Sequence, residues 1–162
     1  MVRTIVLYPN EILTTPCQLV TAFDDSLHQL VEDLFETMYA NDGVGLAANQ
    51  IGDSRRVFVI DVREGKKPFN PMAFVNPELL AMTGADEDEE GCLSLPGLAL
   101  TVRRATYLHF SSQTLEGTRH GATLRNLEAR VWLHENDHLD GVMFMSRASA
   151  DEKLSKAAGK NR

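Results

Sequence analysis

The stretch Leu124-Arg-Asn-Leu-Glu-Ala-Arg-Val-Trp-Leu-His134-Glu-Asn-Asp-His138, closed by Asp140-Gly141, organises everything around it. Leu127, Val131, His134 and His138 fall on one stripe at helical spacing, so a helix is expected from about Leu124 to His138 with that stripe turned to the core. Asp140-Gly141 supplies the stop. Two histidines four residues apart share a helix face, and their rings can meet one ion at roughly 2.0–2.1 Å if that ion is zinc. Glu135, beside the first histidine, need not bind the ion. It can reach a water there and take its proton, the arrangement of H-E-x-x-H metallohydrolases. The bland alternative is a histidine pair on an ordinary amphipathic helix. A core-facing stripe and a glutamate in the correct slot favour the metal site. Asp137 is a candidate acceptor for the second ring N–H of a ligating histidine.

A catalytic ion needs a third ligand and an open position. Downstream no histidine follows, and the acidic candidate is Glu152 in the tail. Upstream stands Glu90-Gly-Cys-Leu-Ser94. Cys92 would complete a Cys/His/His set as a thiolate. A single free cysteine is otherwise an inert buried hydrophobe, and these residues alone leave both readings open.

Further out, Leu27, Leu30, Val31, Leu34, Phe35, Met38 and Tyr39 repeat at helical spacing, predicting an amphipathic helix over Ser26 to Tyr39 with Asp24 or Asp25 at its cap. The block Asn41-Asp-Gly-Val-Gly-Leu-Ala-Ala-Asn-Gln50 is small-residue rich, which permits close approach of backbone or ligand. Val57 to Val62 predicts a buried strand, and Met72 to Val75 a second, ended by Asn76-Pro77. The first four residues of the charge run Asp86 to Glu90 read as a solvated loop. Leu100 to Phe110 reads as one strand, Leu115-Glu-Gly117 as a turn, and Gly121 as the end of the strand after it. A short polar helix is expected from Ala148 to Lys160, with Ser149 and Glu152 in a capping-box pattern. The sum is an α+β fold in one domain over residues 1–162. Mixed or antiparallel strands pack around a central metal-binding helix, with one helix near the N-terminus and a short one at the C-terminus.

Composition narrows the function. Apolar residues are 43% and charged residues 24% of the 162, ordinary values for a soluble globular domain. A net charge of -7 argues against a nucleic-acid surface. No apolar run approaches the roughly 18 residues of a membrane span, and no signal peptide is evident, so a cytoplasmic site or an organelle matrix is expected. Two cysteines, Cys17 and Cys92, are too few for a disulfide framework.

Three blocks stand in order: Gly43-Val-Gly-Leu-Ala-Ala-Asn-Gln50, Glu90-Gly-Cys-Leu-Ser94 and His134-Glu-Asn-Asp-His138. Together they resemble the peptide deformylase family. Tyr8-Pro-Asn-Glu-Ile-Leu13, Phe35-Glu-Thr-Met-Tyr39, Asn76-Pro77 and Leu139-Asp-Gly-Val-Met-Phe144 extend the likeness over about residues 5 to 147. The resemblance implies removal of the formyl group from the formyl-methionine of nascent polypeptides, with the ribosome surface as a partner. It implies Cys92, His134 and His138 as metal ligands and Glu135 as acid and base. Gln50 and the Leu93 backbone N–H are implied as oxyanion donors. Val44 and Gly45 are implied as the strand edge that pairs with substrate, with Glu90, Gly91 and Arg130 also lining the substrate site. Arg104 would pair with Glu90 and steady the cysteine loop. One divalent ion is implied, Fe2+ in cells, with Zn2+, Ni2+ or Co2+ accepted by the same donors.

Some positions depart from the family pattern: Leu133 stands where Gln is common, Asn136 where an apolar residue is usual, and Leu98-Ala99 where larger residues occur. Leu133 and Ala99 motivate an alternative, a deformylase-like hydrolase with altered preference. A non-enzymatic paralogue is disfavoured by the presence of Glu135, Gln50 and all three ligands. A zincin-type endopeptidase is disfavoured because its third ligand should follow the helix. For Arg130, a place at the pocket mouth beside the methionine side chain and an ordinary snorkelling surface position are both open.

Overall fold

The computed structural model describes residues 1–63 and 69–148. In chain order its elements are α1 (Asp25–Ala40), β1 (Gly45–Ala47), β2 (Val57–Asp61), β3 (Pro71–Thr83), β4 (Asp86–Cys92), β5 (Leu95–Arg104), β6 (Tyr107–Gln113), β7 (Arg119–Arg125) and α2 (Asn126–Leu139). Short 3-10 turns lie at Glu11–Thr14, Ala48–Ile51 and Phe144–Arg147. Five strands form one sheet in the order β1-β2-β3-β6-β7, and β4 and β5 form a separate hairpin. Every ladder between named strands is antiparallel. The class is α+β.

β2 explains how the layers stack. Its residues alternate between the two faces of the sheet, yet all five are buried. Phe58 and Ile60 join Trp132, Val131 and Leu133 of α2, together with Phe74 and Phe110. Val57 and Val59 join Leu27, Leu30, Leu34 and Met38 of α1. A strand covered by a helix on each side loses the polar alternation of a half-exposed strand, which is why Val57-Phe-Val-Ile reads as continuous apolar sequence. Asp24 caps α1 by accepting from the Leu27 N–H at 3.2 Å.

Five local expectations are corrected. The acidic run is strand rather than loop. Asp86 lies opposite Arg104 and Glu87 opposite Arg103, so cross-strand pairing of unlike charges offsets the poor strand propensity of carboxylates. The stretch Leu100 to Phe110 is two strands in two different sheets, separated at Ala105-Thr106. β3 runs through Asn76-Pro77 instead of ending there. The register shifts between Val75 and Glu78, and this irregularity accommodates a proline without an N–H. Gly121 does not end β7; it pairs with Ser111 in mid-strand. α2 also begins two residues later than expected, because Leu124 and Arg125 belong to β7. The expected helix over Ala148 to Lys160 falls, apart from Ala148, outside the described residues.

Candidate active site

α2 carries His134, Glu135 and His138 on its buried face. Cys92 closes β4, at a register shift opposite Leu95 that turns the chain back into β5. Gln50 sits on the 3-10 turn after β1. Elements distant in sequence thus deliver three soft or borderline donors to one point. One ligand atom each from Cys92, His134 and His138 lies within 4.8 Å of the others. Cys92 Sγ and His138 Nε2 are 3.4 Å apart. Around a tetrahedral ion with bonds of roughly 2.0–2.3 Å, neighbouring ligand atoms stand roughly 3.5 Å apart, so this donor set fits one.

Electrostatics favour a cation at the same point. Glu90 is buried, and its carboxylate accepts from His134 Nδ1 at 2.8 Å, from Arg104 Nε and Nη2 at 2.9 Å each, and from Arg130 Nη1 at 2.7 Å. Burial works to raise its pKa, but the His134 and Arg104 contacts outweigh burial and hold it down at about 2. Burial works against charge on His134, yet hydrogen bonds to Cys92 and Glu90 prevail and push its pKa up to about 10. The anionic surroundings therefore select a positive charge; a proton on His134 is one answer and a metal ion another. His138 is held neutral, its pKa well below the usual histidine range through burial and then through the neighbouring His134 charge. Burial pushes the Glu135 carboxyl up to about 7. Its Oε2 is buried without a hydrogen-bond partner, and it lines a cavity of about 870 Å³ shared with Gly45, Gln50, Cys92 and His134. A carboxyl left free at the cavity wall, near the pH of neutral water, is suited to proton transfer.

The cavity opens between the β1 edge and the β4–β5 hairpin. Val44, Gly45, Glu90, Gly91, Leu93 and Arg130 all line it. Two of them do so differently from expectation. The Glu90 carboxylate is spent on three side chains and is not open to a ligand. Arg130 is neither at the mouth nor snorkelling at the surface. It is buried, with its guanidinium turned onto Glu90 and onto the carbonyls of Val102 and Asp86. Asp137 is also corrected: it accepts from Arg104 and Arg147, not from a ligand ring, and Glu90 takes the role proposed for it. The expected Arg104–Glu90 pair is present. Leu127 was expected to face the core; it is 37% exposed and lines the cavity. Leu133 and Asn136 line a different cavity of about 550 Å³, so neither departure reaches the site directly. Leu98 and Ala99 do line the site.

Gln50 donates from Nε2 to Ser94 Oγ at 3.1 Å and, at 3.6 Å, to Cys92 Sγ, while its Oε1 accepts from the Ala47 N–H. Ser94 and Asn49 escaped the sequence reading, although both lie inside quoted blocks: they are polar residues in otherwise tight, small or apolar segments. Arg147 carried no signal at all.

The family model described as Polypeptide deformylase matches residues 2–154. Peptide deformylase of Acidobacterium capsulatum is 43% identical over 150 residues, 93% of this chain and 88% of that protein. Peptide deformylase of Dictyoglomus turgidum is 40% identical over 156 residues, 96% and 99% of the two chains. Among solved structures, peptide deformylase from Thermotoga maritima superposes with a TM-score of 0.86 at 38% identity, covering 92% of this chain and 99% of that one. A peptide deformylase from Legionella pneumophila gives 0.88 at 39% identity, covering 98% and 92%.

Proposed function

The chain belongs to the polypeptide deformylase family, and from that premise we propose that Cys92, His134 and His138 hold one divalent metal ion with Glu135 as the acid and base of formamide hydrolysis. The chain is an enzyme that removes the N-terminal formyl group from nascent polypeptides, and residues 1–162 act as one catalytic domain. One observation carries the site assignment: a sulfur from the β4 terminus and two imidazoles from α2 converge within 4.8 Å.

The ion, when bound, supplies a Lewis acid that lowers the pKa of water toward roughly 7. Glu135 takes the proton of the attacking water on its unpartnered carboxylate oxygen and passes it to the departing amine. The Gln50 amide and the Leu93 N–H face the oxygen that gains charge as the formyl carbon becomes tetrahedral. Each donor of this kind is worth on the order of 10²–10³ in rate. Val44 and Gly45 present the free edge of β1 to the peptide backbone. Gly91 leaves the opposite wall clear, and Arg130 lines the cavity with its guanidinium turned away onto Glu90. Glu90 fixes the His134 ring by accepting its Nδ1 proton, and Arg104, itself held by Asp137, holds Glu90 in turn.

Fe2+ is the proposed native ion. A Cys/His/His set also accepts Zn2+, Ni2+ and Co2+. Ferrous iron beside a cysteine sulfur is oxidised in air, so activity should decay aerobically. The working place is the cytoplasm or an organelle matrix, with the ribosome surface as partner. No helix among the described residues is long and apolar enough to cross a membrane.

The test is direct. Protein purified anaerobically should carry about one metal ion per chain and release formate from formyl-Met-Ala-Ser. Glu135→Ala should keep the metal and lose turnover. Robust turnover by that variant would remove Glu135 from its role.

A further inference from the structure

Asn49 is fully buried, one residue before Gln50 in the 3-10 turn Ala48–Ile51. Its Nδ2 donates to the backbone carbonyl of His138 at 2.7 Å, across 89 residues of sequence. Its neighbour reaches the other side of the donor set: Gln50 Nε2 contacts Cys92 Sγ and Ser94 Oγ. Two adjacent side chains of one four-residue turn therefore grip the backbone of one imidazole donor and the sulfur donor. These two donors stand 3.4 Å apart. The turn is itself anchored, since the Val6 N–H donates to the Gln50 carbonyl at 2.7 Å. Asn49 Oδ1 has no partner, so the amide is committed through its donor side.

We infer that Asn49 is a positioning residue for the metal, setting the separation of Cys92 and His138 by tying the last turn of α2 to the turn that holds the cysteine. The inference rests on the metal reading above. The His138 carbonyl also accepts from the Gly141 N–H at 3.0 Å, which closes the helix end by itself. Loss of Asn49 therefore frees the position of His138 more than it unravels α2. A displaced donor raises the cost of meeting the ion, and outer contacts of this sort are worth roughly 10- to 100-fold in metal affinity.

The experiment uses the full chain and Zn2+ and Co2+ as probes. Zn2+ affinity is measured by competition with a chromophoric chelator, and the Co2+ form is examined by visible absorption. Asn49→Leu keeps the size and removes the donor. It should bind Zn2+ roughly 10- to 100-fold more weakly and shift the Co2+ bands. Asn76→Ala is the matched control, because Asn76 is a buried asparagine bonded to Val20 and Gln113 and lines no part of the site cavity. It should lower Tm while leaving Zn2+ affinity and the Co2+ spectrum unchanged. Should Asn49→Leu fail to fold, Asn49→Ala is read in the same way. Zn2+ affinity and Co2+ bands of an Asn49 variant that match those of Asn76→Ala would overturn the inference. Cys92→Ser separates the two levels. If it binds Zn2+ as tightly as the unaltered protein, the metal reading fails and the role of Asn49 with it. If it loses Zn2+ while Asn49→Leu does not, Asn49 alone is misassigned.

Discussion

Gly45→Ala is a one-carbon perturbation aimed at Glu135. A Cβ at position 45 would stand 2.8 Å from Glu135 Oε1, 2.9 Å from its Cγ and 3.0 Å from its Cδ. Carbon atoms rest at roughly 3.5–4.0 Å, so the glutamate must retreat by about 0.6–1 Å. Buried at 4% exposure, it can give way only into the cavity that it lines, out of its place beside the donor set. A misplacement of about 1 Å in a reacting group costs on the order of 10²-fold in rate, so kcat should fall roughly 10- to 100-fold. The backbone groups that Gly45 offers to a peptide are unchanged, so KM should move little. Zn2+ content should also be unchanged, because no metal ligand is touched. Overpacking of a tight site costs about 1–3 kcal/mol, and Tm should fall by roughly 2–4 °C for each of these. The assay is formate release from formyl-Met-Ala-Ser with kcat and KM resolved. A double-mutant cycle separates sterics from other causes. Glu135→Asp withdraws the carboxyl by one methylene, so adding Gly45→Ala to it should cost far less than adding it to the unaltered protein. Full kcat in Gly45→Ala, or strictly additive losses in the pair, would refute the idea that position 45 sets the place of the acid/base.

Glu90→Leu should weaken Zn2+ binding by roughly 10- to 100-fold in a chelator competition, because His134 Nδ1 loses its acceptor. Arg104→Met leaves Glu90 and Asp137 short of a buried partner and should cost about 3–5 kcal/mol in denaturant unfolding. Gln50→Leu should lower kcat on the order of 10²–10³ when formate release is measured on metal-saturated protein. Removal of the metal by a chelator should lower Tm, since an ion bound at 100 times its Kd contributes about 2.7 kcal/mol; an unchanged melting curve would mean that no tightly held ion had been present.

The helices and the strand between them were legible because their determinants are local. α1 covers Asp25–Ala40 against an expected Ser26 to Tyr39, and seven apolar residues at helical spacing with an aspartate cap suffice for that. The strands that were misread depend on partners far along the chain. Nothing within Asp86 to Glu90 reveals that Arg103 and Arg104 will lie opposite. Nothing within Leu100 to Phe110 reveals that its halves will enter different sheets. Strand propensity is largely a property of the neighbouring strand, so an isolated segment carries little of it. The site divides along the same line. Histidines at i and i+4 share a helix face by geometry alone. The third donor lies on another element, and Cys92 could be tied to the pair only through the order of the three blocks.

The charged groups behind the site show why some roles were misassigned even where the residues were found. Glu90, Arg104, Arg130 and Asp137 are each at most 8% exposed. A buried ion network of this kind contributes little net stability, because desolvation consumes most of the attraction. Its use is orientation. Glu90 takes four donor atoms from three residues. The His134 ring therefore turns only at the cost of leaving buried charge unmatched. Arg104 extends the constraint to Asp137, and Asp137 to Arg147 on the far side of α2. Contact with a ligand ring is expected of Asp137 because it stands beside His138 in sequence, and contact with substrate is expected of Arg130 from the family resemblance. On a helix the neighbours at i±1 point elsewhere. Arg130 and Asp137, one step from Val131 and His138, accordingly turn their charged ends onto the supporting network, whereas Glu135, one step from His134, lines the cavity with it.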